Sequence, residues 1–553
     1  MPKSVAVFGA GIAGLSAAHE FATLGYEVSV YEADSEAGGF YRSARLQVDG
    51  NMPSEYSWHG MGPWYHNTFD LLQQIPFDEN GSLYDKALSR SIDFCVAPDK
   101  GKAAFYSGIV HLPKMFRLGL WEGVRWGWLL IRTFTCDRRS REYYSTLNAA
   151  EQWKPLLSEP GWRLWRATFG PWIGSDWTNV SLHQAGQFFR KQLITMPSHP
   201  HKADDEGPAW TQGARDGWLL LRGPSSEFWF DNWVSYLKKN GVRFFWQEPL
   251  SRFDYDGTAI TAANVGSGAS VKADVYVLAT TPFAAAEILE RTPSLAAQEQ
   301  LRLFRPLTHG GPHAQVSFQI AFSEKISWPR ERTAVIIAES EFNLTLFAQE
   351  QAWRTDVALG DGVKCVWTGT ACVAMVPGRL YGLPLIKCTK EQFIEEVMAQ
   401  LSSCESLDLL VTEANNGRSW KSVPIVRIEV WHEWRFSSDG IKSAQPKWVN
   451  TTKTQTNQPT QATPVPNLVL AGAHTKTEAD VWSIEGAVES GRRAARAIEP
   501  SVKVIPQYEP PWLRVVRTVD NACFAIGAPH VLDLFLFACA IALVGVIALV
   551  ALW

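Results

Sequence analysis

Val5-Ala6-Val7-Phe8-Gly9-Ala10-Gly11-Ile12-Ala13-Gly14, continuing through Leu15-Ser16-Ala17-Ala18-His19-Glu20, is the stretch on which the rest of the chain is built. An apolar, β-branched run that meets G-x-G-x-x-G and passes into a helical pattern predicts strand, tight turn and helix. Gly9 takes the turn, Gly11 lets the backbone approach a pyrophosphate, and Gly14 lets the helix pack close to the strand. The N–H groups at Ile12 and Ala13, on the positive end of that helix, face the phosphates. A second strand, Val28-Ser29-Val30-Tyr31, ends at Glu32, where an acidic side chain accepts from ribose hydroxyls. Glycine loops alone are common. Strand, helix, second strand and terminal acid in register predict a dinucleotide site.

Past Glu32 the chain reads Ala33-Asp34-Ser35-Glu36-Ala37-Gly38-Gly39, a second glycine pair that a plain NAD unit does not need. Here the sequence resembles the flavoprotein superfamily of amine oxidases and phytoene desaturases, whose fingerprint is this turn, E-A, then G-G and a basic residue. The resemblance implies FAD, with Gly38 and Gly39 along its pyrophosphate. Phe40-Tyr41-Arg42 stands where the family has Arg directly after the pair, so Arg42 is the expected replacement for that contact. The stretch from Pro53 to Tyr65, rich in glycine and aromatics, resembles carotenoid-desaturase-like and hydroxysqualene-dehydroxylase-like proteins. Glu55 matches a family Glu, and His59 reads either as a proton carrier beside the flavin or as a satisfied structural residue.

Composition narrows the field. The chain has 553 residues, enough for intertwined domains, and its net charge of −4 gives no basic field for nucleic acid. Eight cysteines lie without a C-x-x-C pair or zinc spacing, which predicts a reducing compartment and no metal. Met1-Pro2-Lys3-Ser4 is too short to be a signal peptide. Tryptophan is the anomaly, at 25 residues, many of them between Trp121 and Trp233. Residues 113–134 place Arg117, Arg125 and Arg132 on one arc with Trp and Leu over the rest. That reads as a helix in a membrane interface or as a core helix with solvated arginines.

Further along, residues 195–217 read as a loop, Glu227 to Lys239 as a helix, and Ala273 to Pro282 as a buried strand returning to the first sheet. Runs at Ala314 to Phe322 and Lys364 to Ala374 predict antiparallel strands walling a cavity. The segment Pro466-Asn467-Leu468-Val469-Leu470-Ala471-Gly472-Ala473-His474, then Glu485-Gly486-Ala487, resembles the family's closing strand and helix. That resemblance places Gly472 near the FAD phosphates and the helix opening at Glu485, Gly486 and Ala487 near the flavin. Trp482, just ahead of it, is expected to line the cavity or to pack in the core. Leu534 to Trp553 carries no charge. Twenty such residues at 1.5 Å each span about 30 Å, the thickness of a bilayer core.

The expected architecture is α/β. A discontinuous Rossmann-type FAD-binding domain occupies 1–95, 223–285 and 446–500, with a helical, Trp-rich insert at 96–222. An α+β substrate domain at 286–445, a connector at 501–530 and a C-terminal transmembrane helix at 531–553 complete it. Arg514 and Arg517 before the tail put the body on the cytoplasmic side of the membrane. The resemblance implies an FAD-dependent oxidoreductase acting on a long apolar lipid, such as a polyisoprenoid or carotenoid. Desaturation, dehydroxylation and isomerisation remain open. The alternatives are a tail-anchored amine oxidase, its aromatic pair drawn from Trp431, Trp434 or Trp482, and a redox-inactive lipid-binding protein of the same fold.

Overall fold

Five parallel strands lie under the glycine turn, in the order Leu468–Leu470, Val275–Leu278, Ser4–Phe8, Glu27–Tyr31 and Arg243–Phe245. This is a computed structural model; it describes residues 3–551 apart from 58, 89–92, 106–111, 174–176, 196–218, 310–314, 331–332, 444, 450 and 453. The central strands are apolar over most of their length because both faces are covered. Val5, Val7, Val275, Val277 and Val469 enter one apolar cluster, while Ala6, Phe8, Tyr276, Leu278, Leu468 and Leu470 enter another on the opposite face. Side chains of a strand alternate between faces, so one unbroken run serves two cores.

The helix Ile12–Thr23 packs on the first face against the helix Ile484–Ile498, so both ends of the globular part meet there. A Cβ on Gly491 would lie 2.4 Å from the Ala13 carbonyl oxygen, which sets how closely those helices cross. A seven-stranded sheet forms the second layer, including Val316–Phe322 paired antiparallel with Cys365–Ala371. Helices Lys390–Ser403 and Glu405–Ala414 cover it, with Phe393, Val397, Leu401 and Val411 in its core.

The helix expected from Glu227 begins one residue earlier as a π-helical turn, Ser226–Phe230, and becomes α-helical over Asp231–Lys239. All but the first residue of the 195–217 loop lies outside the described residues. The Trp-rich region is explained by packing: Trp126, Trp153, Trp162, Trp165, Trp229 and Trp233 are buried in one cluster. Trp162 and Trp165 stack at 5.3 Å. The segment read at residues 113–134 forms a helix over Leu120–Phe134 that packs one side into the core. It buries Trp126, Leu130 and Phe134, yet exposes Leu120, Trp121 and Val124.

The expectation of a C-terminal transmembrane helix is overturned. Among the described residues no helix is long and apolar enough to cross a membrane. The uncharged run is part of a helix, Val531–Ala551, that starts early enough to hold Asp533 in its first turn. Asp533 pairs with Arg132 at 3.1 Å and accepts from Trp128 Nε1 at 3.2 Å, which fastens that end to the body. The preceding helix, Pro511–Ala525, is fastened too. Buried Asp520 accepts from Arg139 at 3.1 and 3.2 Å and from the Val531 N–H at 3.0 Å. Cys136 and His530 approach the same carboxylate, but Arg139 and Val531 already occupy its oxygens.

Candidate active site

A cavity of about 290 Å³ opens where the glycine turn, the aromatic loop after it, the second sheet and the closing segment converge. The turn is built by Gly9, at φ +108°, and by Gly14, whose added Cβ would lie 1.9 Å from the Gly9 carbonyl oxygen. Gly11 differs. It lines the cavity, and a Cβ there would meet nothing within 4 Å. Space kept clear beside a backbone is a cradle for a ligand. Gly11 also caps the helix Ile12–Thr23 with no side-chain hydrogen bond, so its first N–H groups are left for an anion. Ile12 and Ala13 line the same wall.

The second glycine pair comes to the first. The Gly38 N–H donates to the Ala10 carbonyl at 2.9 Å, and a Cβ on Gly39 would lie 3.4 Å from Gly11 Cα. Glu32 is buried at the end of its strand, accepting from the N–H groups of Ala10 at 2.5 Å and Asp34 at 3.1 Å. Ala33 follows it directly. Burial raises the Glu32 pKa, and the Ala10 N–H opposes that. Arg42 is engaged elsewhere, by Asp34 and Glu433 at 2.5 Å each and Glu36 at 3.5 Å, and is not part of the cavity wall.

From the closing segment, Gly472, Ala473, Ala487 and Trp482 line the cavity, with Trp482 edge-on to Phe40 at 5.5 Å. Glu485 turns away. Its buried carboxylate accepts from the Asn67 N–H and Nδ2 and the Thr68 N–H at 2.9 Å, and from Thr68 Oγ1 at 2.8 Å. It thus holds the start of the helix His66–Gln74, and burial pushes its pKa up to about 7. Gly486 passes close to the Val481 carbonyl, where a Cβ would lie 3.0 Å away. His474 is a buried wall residue, its pKa forced down to about 3 by desolvation, so it meets the cavity as a neutral ring.

His59 lines the chamber at φ +47°, its Nε2 2.7 Å from Glu55 Oε2. Both are buried, and Glu55 also accepts from the Ser225 N–H at 3.1 Å. Of the three residues expected at the catalytic centre, His59 at the wall and Glu55 behind it form one pair, and Trp482 lines the chamber.

Lys447 is the residue that sequence reasoning missed. Its buried amine donates to Gln315 Oε1 and lies 5.0 Å from the Trp482 ring centre and 5.8 Å from that of Tyr56. Burial lowers its pKa to about 7. The only signal was a lysine inside the apolar stretch Pro446-Lys447-Trp448. Gln184 and Phe188 reach the chamber from the helix Leu182–Leu193, which no motif marked.

A parallel sheet, an uncapped helix start, a ribose-side acid and an apolar chamber at one crevice define an FAD-dependent oxidoreductase fold. Two comparisons make the assignment specific. Residues 215–499 match the family described as flavin containing amine oxidoreductase, and residues 7–75 match the NAD(P)-binding Rossmann-like domain. The chain belongs to the flavin containing amine oxidoreductase family, and it is an oxidoreductase with FAD as cofactor.

It is 23% identical to the zeta-carotene desaturase of a Synechocystis species over 539 residues, 89% of this chain and 96% of that protein. A shorter likeness, 56% over 43 residues, links it to hydroxysqualene dehydroxylase of Sinorhizobium fredii, covering 8% of this chain and 10% of that one. Putrescine oxidase bound to putrescine shares the fold, with a TM-score of 0.58 at 14% identity, over 90% of this chain and 99% of that one.

Proposed function

We propose that this chain dehydrogenates or otherwise rearranges a long apolar lipid of the polyisoprenoid or carotenoid class. The observation that carries the reading is the chamber wall. Phe40, Tyr56, Trp64, Phe188 and Trp482 surround the space beside the glycine turn, and apolar surface predominates over polar in its wall. Burying an apolar chain against such a wall is worth about 25 cal/mol for each Å² removed from water. The similarity to zeta-carotene desaturase supports this reading over its nearly complete length. Leu120, Trp121 and Val124, and separately Trp512, Val515 and Val519, stand exposed as apolar surface where such a substrate can be met.

FAD, when bound, supplies two-electron oxidation that no side chain provides. Gly11, Ile12, Ala13, Gly38 and Gly472 would hold it, with Glu32 at the ribose end. The chain's own residues do the rest. Aromatic walls orient the substrate and exclude water. His59 holds a proton at the chamber edge with Glu55 Oε2 behind its Nε2. Lys447 Nζ, with a pKa of about 7, exchanges a proton readily at neutral pH.

The family's name keeps an amine substrate in view. Against it, Trp482, the candidate of the aromatic pair that lines the chamber, already stands beside the chain's own amine at Lys447. Trp431 and Trp434, the other candidates, are buried and are not part of the chamber wall. The test is anaerobic titration of the purified yellow protein. Bleaching of the flavin bands by a polyene or polyprenoid and not by amines is expected; bleaching by amines alone would overturn the lipid reading.

A further inference from the structure

A second cavity, of about 460 Å³, lies behind the helix Leu182–Leu193, between the segment from Lys476 to Asp480 and the helix Pro511–Ala525. Its chemistry is opposite to that of the chamber. Six cationic side chains line it against four carboxylates, and most of those carboxylates are already committed. Asp137 pairs with Arg141 at 3.0 Å, Glu509 with Arg517 Nη1 at 2.7 Å, and Glu478 with Arg493 at 3.0 Å. Asp480 lies 2.9 Å from His183 Nε2 and 3.9 Å from Arg141.

Arg190 is left over. It is only 6% exposed, yet among the described residues no carboxylate pairs with it and its Nε has no hydrogen-bond partner. Arg517 spends Nε on the Phe134 carbonyl and Nη1 on Glu509, while its buried Nη2 is likewise unmatched. Lys476 stands exposed at the rim, without a salt bridge among the described residues. A buried, unmatched guanidinium is destabilising unless an anion compensates it. Burial first, and then the Arg517 charge, lower the Arg190 pKa to about 10, against the more distant pull of Glu509 and Asp480. Thr477, Gln187 and Asn521 add neutral polar groups to the wall.

We propose that this cavity binds a phosphate-type oxyanion, gripped by Arg190 and Arg517 and met at the rim by Lys476. Guanidinium forks match the geometry of phosphate oxygens, and the volume admits the organic part of a phosphate ester as well. The phosphate comes either from a soluble compound or from a lipid headgroup. Helix Leu182–Leu193 serves both cavities, with Gln184 and Phe188 on the chamber and Gln187 and Arg190 on the anion site.

The test uses the full-length FAD-loaded protein and inorganic phosphate, with chloride at matched ionic strength as control. A saturable rise in melting temperature with phosphate and none with chloride is expected. Arg190→Gln raises the half-saturating phosphate concentration by about tenfold or more, the effect of losing one charge-assisted hydrogen bond. Lys476→Gln, a rim change that leaves the core intact, weakens it less. Cosedimentation with phosphatidic acid vesicles but not phosphatidylcholine vesicles, reversed by phosphate, identifies the headgroup source. Phosphate binding without cosedimentation identifies a soluble one. No phosphate effect, an equal chloride effect, or unchanged phosphate dependence in both variants would overturn the proposal.

Discussion

The amine of Lys447 stands 5.0 Å from the centre of the Trp482 ring, inside a wall that otherwise admits almost no charge. Its depressed pKa has a definite sign. Between pH 7 and 10.5 the unfolded chain carries a proton there that the folded chain has shed, so the residue costs stability as pH falls through that window. Below about pH 7 the cost is full and constant; above 10.5 it vanishes. Lys447→Met should therefore stabilise the protein at pH 7 by about 2–4 kcal/mol, and by nothing near pH 11. Denaturant melts at the two pH values check this. Equal effects at both would remove the buried-amine account.

Two neighbouring glycines should separate folding from cofactor binding. Gly11→Ala places a methyl in open space, so the FAD-free protein should melt within about 1 kcal/mol of the parent. The same methyl stands where the pyrophosphate must approach, and FAD affinity should drop by about tenfold or more. Gly14→Ala drives a methyl into the Gly9 carbonyl and should not fold. Calorimetry and flavin absorbance report both. An alanine at position 11 that keeps full affinity would remove this turn from the binding site.

Glu485 makes the opposite prediction. Each of its oxygens accepts two hydrogen bonds from Asn67 or Thr68, so an amide in its place would point donors at donors. Glu485→Gln should cost about 2–3 kcal/mol of stability. The flavin spectrum of the folded fraction should not change, because the side chain faces away from the chamber. An altered spectrum at unchanged stability would assign this carboxylate to the cofactor.

His59→Gln should lower turnover by about 10²-fold while FAD remains bound, if the ring passes a proton at the chamber edge. One limb of the pH–rate profile should go with it. Glu55→Gln should give a smaller loss and shift that limb, as expected of a positioning residue. Unchanged pH profiles in both variants would leave the pair a structural one.

Much of this was legible in the sequence because it is local. A β-branched run, a glycine turn and an acid at the next strand's end are written within forty residues, and the parallel sheet follows. The strands at Val316–Phe322 and Cys365–Ala371 announced themselves by alternating apolar runs. What stayed hidden depends on distant partners. Glu485 looks like a flavin-side acid until Asn67 and Thr68 take it, and Arg42 looks like a phosphate clamp until Glu433 and Asp34 do. The tail expected at 531–553 read as a membrane span from the uncharged run it contains, while the pairing of its Asp533 with Arg132 is a contact across the chain.

The strand order has a consequence for biosynthesis. Ser4–Phe8 sits between Glu27–Tyr31 and Val275–Leu278, and the latter in turn waits for Leu468–Leu470. A nascent chain leaving the ribosome cannot complete this crevice until its last sheet strand emerges, so the early glycine turn stays half-walled through most of translation. Flavin loading is thus a late event in the life of each molecule, and chaperone dependence should be greatest in the interval before it.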